Sequence, residues 1–292
     1  MAELQARAAR GLASLGRCAG CARACLADRR SGPAGACRTG RSARVASYFA
    51  HHYEEPPISG YRGSGTIFFS GCNLRCVYCQ NHEISQGGEG VEVSDDELAE
   101  MMLQLQRAGC HNINLVSPSH VVPQFLSALA RAVAAGFRLP IVYNSGGYDS
   151  LATLRLLDGI VDIYMPDAKY DDARIAEQLS GVRHYPRVNR LVLKEMHRQV
   201  GDLQVDSSGV AVRGLLVRHL VLPEGLAGTA GIARFIASEL SPNTYLNVMA
   251  QYHPCYQADR FESLRRRTTR AEYLDAVREA RLAGLLRGCP ED

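Results

Sequence analysis

From residue 66 onward, short apolar runs alternate with stretches of helical period. The runs are TIFFS (66–70), NINLV (112–116), PIVYN (140–144), VDIYM (161–165), LLVRHLVL (215–222) and YLNVMAQ (245–251). Runs this short, with little polar alternation, are the pattern of strands buried on both faces. Between them lie amphipathic segments. SDDELAEMMLQLQRA opens with Ser94 and has Glu97 three residues on, a capping-box signal, and VPQFLSALARAVAAG stops at Gly136. TAGIARFIASEL and TRAEYLDAVREARLAGL follow. Strand–helix alternation predicts six parallel βα units with right-handed crossovers. A longer insertion between the fourth and fifth runs predicts a helix (NRLVLKEMHRQVG) and a hairpin (LQVDSSGVAV) turning at Ser208 and Gly209. Six units are too few for a closed eight-fold barrel, which leaves an α/β fold built as an open partial barrel or a doubly wound sheet. In both, chemistry gathers at the carboxyl ends of the strands.

Residues 1–60 read differently. A helical start, MAELQARAARGLASLG, leads into RSGPAGACRTGRSA, where neither helical nor strand period survives, and HHYEEPPISGYRGSG then links it onward. Such a segment has little apolar surface to bury, so a metal is its natural staple. The expected organisation is a Cys-rich extension (1–60) followed by a β/α domain (61–292).

Composition narrows the functions. Hydrophobic residues are 46% and charged residues 22%, the balance of a chain with a real core. No apolar stretch approaches the ~18 residues of a membrane span, and the start lacks the apolar centre of a signal peptide. A cytoplasmic protein with no membrane association is expected. With 33 basic and 30 acidic residues, the net charge of +3 is too balanced for a dedicated nucleic-acid binder. The basic residues are almost all arginine, as a GC-rich genome would give, and Lys169 and Lys194 are the only lysines.

Ten cysteines are too few for a disulfide scaffold and suggest metal or redox chemistry in a reducing compartment. Cys72, Cys76 and Cys79 are spaced C-x3-C-x2-C directly after the first apolar run. A structural zinc site takes four ligands, whereas a four-iron cluster held by three cysteines leaves one iron open. A zinc site borrowing a distant fourth ligand is the alternative.

C-x3-C-x-aromatic-C after the first strand of a six-unit β/α chain, with Tyr78 at the aromatic position, resembles the radical S-adenosylmethionine (SAM) superfamily. That resemblance spans about residues 62–285 and implies a partial (β/α)6 barrel, a 4Fe–4S cluster on Cys72, Cys76 and Cys79, and SAM bound at the open iron. Reductive cleavage of SAM then gives methionine and a 5′-deoxyadenosyl radical that abstracts hydrogen. More narrowly, the chain resembles the activating enzymes of glycyl radical enzymes, in a branch similar to pyruvate formate-lyase-activating enzyme. MPDAKY carries a D-x-K motif, Asp167 and Lys169, which implies that Asp167 helps hold a monovalent cation beside the SAM carboxylate with Met165 nearby. YNSGGY would offer Asn144 and Ser145 where the activases usually carry Asp and Thr, a departure that bears on the cation. RHLVLP implies Arg218 against the SAM ribose or carboxylate, and QYHP implies His253, with Tyr252, against adenine.

The largest departure follows the second strand. Where most of the superfamily has a Gly-Gly-Glu-Pro-like turn for the SAM amino group, this chain has Ser117, Pro118 and Ser119, then His120. Hydroxyl and carbonyl acceptors, Ser117 first, are expected to serve instead. Asn114 is expected either inside the barrel or as a satisfied core amide.

Cys18, Cys21, Cys25 and Cys37 form C-x2-C-x3-C-x11-C, which by count suits a closed structural zinc or a second, saturated iron–sulfur cluster. The structural version is preferred, because nothing in the segment resembles a cofactor pocket. Cys255 is read mainly as a buried thiol near the active face, Cys110 as core, Cys289 as part of a frayed tail, and Arg265–Arg267 as a solvated face. The expected function is a radical SAM oxidoreductase that activates a glycyl radical enzyme, supplied with electrons by a flavodoxin or ferredoxin. The alternatives are the same chemistry on a small molecule or another protein, and a non-catalytic iron–sulfur or zinc protein.

Overall fold

The computed structural model describes residues 1–290. The strands are β1 (Ala43–His51), β2 (Ser64–Phe69), β3 (Val91–Val93), β4 (Ile113–Val116), β5 (Ile141–Ser145), β6 (Ile163–Pro166), β7 (Gln204–Val205), β8 (Ala211–Leu220) and β9 (Tyr245–Met249). The α-helices are α1 (Ala2–Ala13), α2 (Pro56–Ser59), α3 (Asp95–Arg107), α4 (Val122–Ala134), α5 (Leu151–Leu157), α6 (Ala173–Ser180), α7 (Tyr185–Val200), α8 (Thr229–Glu239) and α9 (Arg270–Leu282). The six expected strands are β2, β4, β5, β6, β8 and β9, paired in that order and all parallel. No pairing joins β9 back to β2 among the described residues, so the sheet curls into a partial barrel that stays open on one side.

Two strands were not anticipated. β1 pairs antiparallel with the outer edge of β2, and β3 pairs with β1. Residues 43–51 read as part of the extension because only their first half alternates. Ala43 and Val45 enter the core while Tyr48 and Phe49 stay exposed, as befits a strand near the sheet edge. The chain before it is also docked on the barrel. α1 lies along α4, close enough that a Cβ on Gly11 would stand 3.3 Å from Pro123.

Alternation along the strands sorts two cores. Tyr143, Tyr164, Val217 and Val248 face outward into the helix layer, while Val142, Ile163, Met165 and Leu216 fill the barrel's floor. The same alternation sends Arg218 inward and His219 outward. His219 is fully buried, its Nδ1 2.7 Å from the Ala168 carbonyl and its Nε2 2.9 Å from Thr229 Oγ1. The capping box of α3 forms as expected. Cys110 is core, but Cys289 is not in a frayed tail. It is 7% exposed, with its thiol directed to the Leu246 carbonyl, because the last turn folds back over β9.

One polar link ties the edge to the helix layer. The Asp95 carboxylate, 8% exposed, accepts two hydrogen bonds from Arg41 and one from Ser127 on α4. Asp95→Ala leaves these donors unpaired and should cost on the order of 1–3 kcal/mol. Thermal unfolding checks this, and an unchanged Tm would remove the link from the account.

Candidate active site

A cleft of about 430 Å³ opens at the carboxyl ends of the parallel strands. Cys72, Cys76 and Cys79 line it on one side, and Ser117, Asn144, Ser145, Asp167, Lys169 and Arg218 line it from successive strand ends. Nine expected positions distributed between residues 72 and 218 are thus one surface, because parallel strands deliver all their carboxyl ends to the same face.

The cysteine loop follows β2. Cys76 Sγ is 3.0 Å from Ser180 Oγ, and a chain of hydroxyls continues from it: Ser180 Oγ to Tyr170 at 2.7 Å, and Tyr170 to Tyr78 at 2.5 Å. Tyr78 therefore acts from below, buried, tying the loop to α6. Cys79 Sγ is 3.2 Å from Ser85 Oγ, and the Leu74 amide donates to Cys72 Sγ at 3.4 Å. Burial pushes the Cys72 thiol up to about 12, the amide of Leu74 opposing. Such a thiol ionises only when a metal supplies the compensating charge. Four thiolates on one zinc, at about 2.3 Å each, would stand roughly 3.8 Å apart. Among the described residues no three cysteine, histidine or carboxylate side chains are grouped tightly enough to hold a single ion. Three thiols on one loop around open space fit the wider footprint of a four-iron cluster with one free corner.

At the opposite wall, the Asp167 carboxylate takes Lys169 Nζ at 2.7 Å on one oxygen and Arg218 on the other, Nε at 3.0 Å and Nη2 at 2.9 Å. Burial works to raise the Asp167 pKa, but the two cations outweigh it and hold the group below the usual carboxylate range. Lys169 is paired and largely withdrawn from solvent, 18% exposed, and is not a surface lysine. Arg218 Nη2 also donates to Asn144 Oδ1 at 2.7 Å. With both Asp167 oxygens occupied, the donor set does not fit a monovalent cation unless Lys169 leaves. Ser145 is likewise engaged, donating to the buried Asp149 at 2.8 Å and accepting from the Gly147 amide. Met165 is sealed in the barrel floor.

Ser117 takes the left-handed conformation (φ 58°, ψ 48°), which a non-glycine residue adopts at a cost. Its strain marks the turn that replaces the glycine-rich one. Ser119 and His120 turn away from the cleft, His120 Nε2 lying 2.9 Å from the Ser70 carbonyl. Tyr252 does not line the cleft; it packs edge-on beneath Tyr78, at 5.8 Å between rings, and bonds the Leu264 carbonyl. His253 sits at the rim, 3.2 Å from Gln80, while Leu220, Met249 and Gln251 form the wall beside it. Cys255 is half-buried, its thiol 3.2 Å from the Tyr78 carbonyl.

Two site residues escaped the sequence reading. Glu54 and Glu55, assigned to a linker, fold under the barrel's open side to within 3.9 and 3.8 Å of Arg218. Asn114, expected inside the barrel or as a satisfied core amide, points inward below Val116; its amide stands beside Glu54 without a well-formed hydrogen bond to any side chain or backbone group. The signal for the glutamates was only a Glu pair before Pro-Pro. The four N-terminal cysteines, in turn, line one small pocket together with Arg29, Asn73 and His120.

Comparison with known proteins agrees with this geometry. The family profile of the radical SAM superfamily matches residues 66–199. A protein of Methanocaldococcus jannaschii, described only as uncharacterized, is 31% identical over 268 residues, covering 89% of this chain and 73% of its own. Among solved structures, a radical SAM methyltransferase from Sphaerobacter thermophilus superposes with a TM-score of 0.50 at 17% identity, over 76% of this chain and 64% of that one. HydG, a maturase of the FeFe-hydrogenase, gives a TM-score of 0.50 at 10% identity, over 73% of this chain and 47% of its own. The chain spans less than two thirds of both solved structures, and at these identities the likeness is one of fold alone.

Glu54 gives the site a pH dependence. Burial raises its pKa to about 7, Arg218 opposing and Glu55 and Asp167 adding to the rise. The folded chain thus holds a proton that the unfolded chain releases above its ordinary 4.5, so stability falls as pH climbs through this window. Glu54→Gln should be more stable than wild type at pH 8, on the order of 1–3 kcal/mol, with the difference shrinking toward pH 5. Tm measured across pH checks it; a difference that does not vary with pH would contradict the assignment.

Proposed function

As the chain belongs to the radical SAM superfamily, we propose that it is an activating enzyme, an oxidoreductase that draws a hydrogen atom from a glycine of a partner protein. When bound, a 4Fe–4S cluster and SAM supply reductive cleavage of the sulfonium, and with it a 5′-deoxyadenosyl radical. The chain's own residues do the rest. Cys72, Cys76 and Cys79 would hold the cluster through three thiolates, leaving it one position for the cofactor. Arg218 and Lys169, kept in place by Asp167, present fixed positive charge to the carboxylate, and Asn144 orients Arg218. Ser117 offers its carbonyl and hydroxyl to the amino group, with Ser145 behind it. Leu220, Met249, Gln251 and His253 form the wall for adenine. An acidic one-electron donor such as flavodoxin or ferredoxin suits the arginines around the cysteine loop, Arg38, Arg44 and Arg75.

The observation that carries the activase reading is the cleft's open side. It is not closed by a strand, and aromatic rings border it: Phe68 at its wall, stacked on exposed Phe49, and His51, edge-on to exposed Tyr53. A rim of this kind suits a protein segment entering from solvent. A second reading has its own support. Glu54 and the Asn114 amide beside it would suit the amine or hydroxyls of a small polar substrate.

Two measurements test this. After anaerobic reconstitution, Arg218→Ala and Asp167→Ala should keep their iron yet bind SAM about 10- to 100-fold more weakly, the worth of a charge-assisted hydrogen bond. Unchanged affinity in both would overturn the cofactor-wall assignment. Mixed with SAM, reductant and a candidate glycyl radical enzyme, the wild type should produce 5′-deoxyadenosine together with the glycyl radical doublet in electron paramagnetic resonance. 5′-Deoxyadenosine formed with candidate partners but without a glycyl signal, and increased by small amines, would favour the second reading.

A further inference from the structure

The N-terminal cysteines are not scattered over the extension. Cys18, Cys21, Cys25 and Cys37 converge on one pocket, although 19 residues separate the first from the last. Two observations indicate what the pocket takes. Arg29 is 1% exposed, and its guanidinium is directed to the carbonyls of Thr39 (2.8 Å) and Gly40 (3.3 Å) and to Cys18 Sγ (3.5 Å). No carboxylate pairs with it among the described residues. A guanidinium keeps its charge, and a buried charge without a counter-charge costs several kcal/mol. An anionic occupant of the pocket would compensate it, and the groups facing the pocket are thiols. His120, 2% exposed, also lines the pocket with its Nδ1 unpartnered.

A metal that turns four thiols into thiolates supplies the missing negative charge. A zinc ion with four thiolates would do this, but it needs its ligands in one tight tetrahedron, and no three of these side chains are grouped that closely.

The pocket also adjoins the catalytic loop. Asn73, 3% exposed, is part of the pocket wall, while its chain neighbour Cys72 lines the catalytic cleft. Arg23 Nε holds the Asn73 carbonyl at 2.5 Å, and Cys37 lies beside Gly71, where a Cβ would stand 2.5 Å from the Cys37 carbonyl. Gly71 has φ of 83°, so only glycine permits this close approach without strain.

We infer that Cys18, Cys21, Cys25 and Cys37 hold a second, fully ligated iron–sulfur cluster, with Arg29 as its buried counter-charge and Asn73 as the one residue between it and the catalytic cluster. Having no open iron, it does not bind SAM.

The test leaves the N-terminal site untouched. The triple variant C72A/C76A/C79A, reconstituted anaerobically with iron and sulfide, should keep about four irons and four sulfides per chain against about eight of each in wild type. Its reduced spectrum in electron paramagnetic resonance should not respond to SAM. The complementary variant C18S/C21S/C25S/C37S should keep about four irons with a SAM-responsive spectrum, if it folds. In fully reduced wild type, spin–spin broadening absent from the triple variant should report the adjacency of the two clusters. A triple variant that carries about one zinc and no iron, or no metal with all four thiols open to labelling, overturns the inference. Eight irons without spin–spin broadening overturn the adjacency.

Discussion

Everything at the strand ends depends on how one buried guanidinium is compensated. Arg218 stands in the barrel with Asp167 against it, Glu54 and Glu55 within 3.9 Å, and Lys169 on the far side of Asp167. Three carboxylates face two cations. If all were ionised, the interior would carry an uncompensated negative charge in a low dielectric, and the cheapest relief is a proton. Glu54, farther from Arg218 than Asp167 is, holds that proton, which is why its pKa rises while that of Asp167 falls. The network also fixes geometry. Asp167 cannot turn without releasing Lys169, nor Arg218 without releasing Asn144, so β5, β6 and β8 present a rigid polar wall opposite the cysteine loop.

The cysteine loop has the opposite problem. Burial makes Cys72 and Cys76 poor anions where they stand, and a bound metal reverses that. What the fold supplies in advance is position: Ser180, Tyr170 and Tyr78 form a hydroxyl chain that orients Cys76 from the side away from the cleft. The aromatic residue between the second and third cysteines thereby acts as a structural link between loop and helix, with its ring packed on Tyr252 and its hydroxyl committed.

Much of this was legible in the sequence, and the reason differs by element. The six parallel strands were visible because both faces are buried, which leaves unbroken apolar runs. β1 was not, because an edge strand with exposed Tyr48 and Phe49 has half a pattern. The cleft's cysteines were found by their spacing, and Asp167, Lys169, Asn144 and Arg218 through the family resemblance of their motifs; they share one surface because a strand's carboxyl end is a fixed address. Glu54 and Glu55 were missed because their role is set by a long-range return of the chain beneath β8 and β9, to which no local period responds. Tyr252 was misplaced for a similar reason. It precedes His253 by one residue, and on an extended segment adjacent side chains take opposite sides.

The extension raises the sharpest question about why this chain is built as it is. Residues 14–42 hold little apolar surface, yet Ala24, Leu26 and Arg38 all take left-handed conformations within them. Strain of that kind persists only where surroundings over-determine the backbone. Part of the surroundings is the barrel: α1 lies on α4, Arg23 grips Asn73, and Arg75 reaches the Ala36 carbonyl. The last two of these contacts run through the very loop that carries Cys72 and Cys76. A segment needed only to cover the barrel could dock anywhere on its helices. One that docks on the catalytic loop, through a glycine that alone admits the approach, couples its own order to the order of that loop, so that whatever fills the four-cysteine pocket also bears on the geometry of the catalytic thiols.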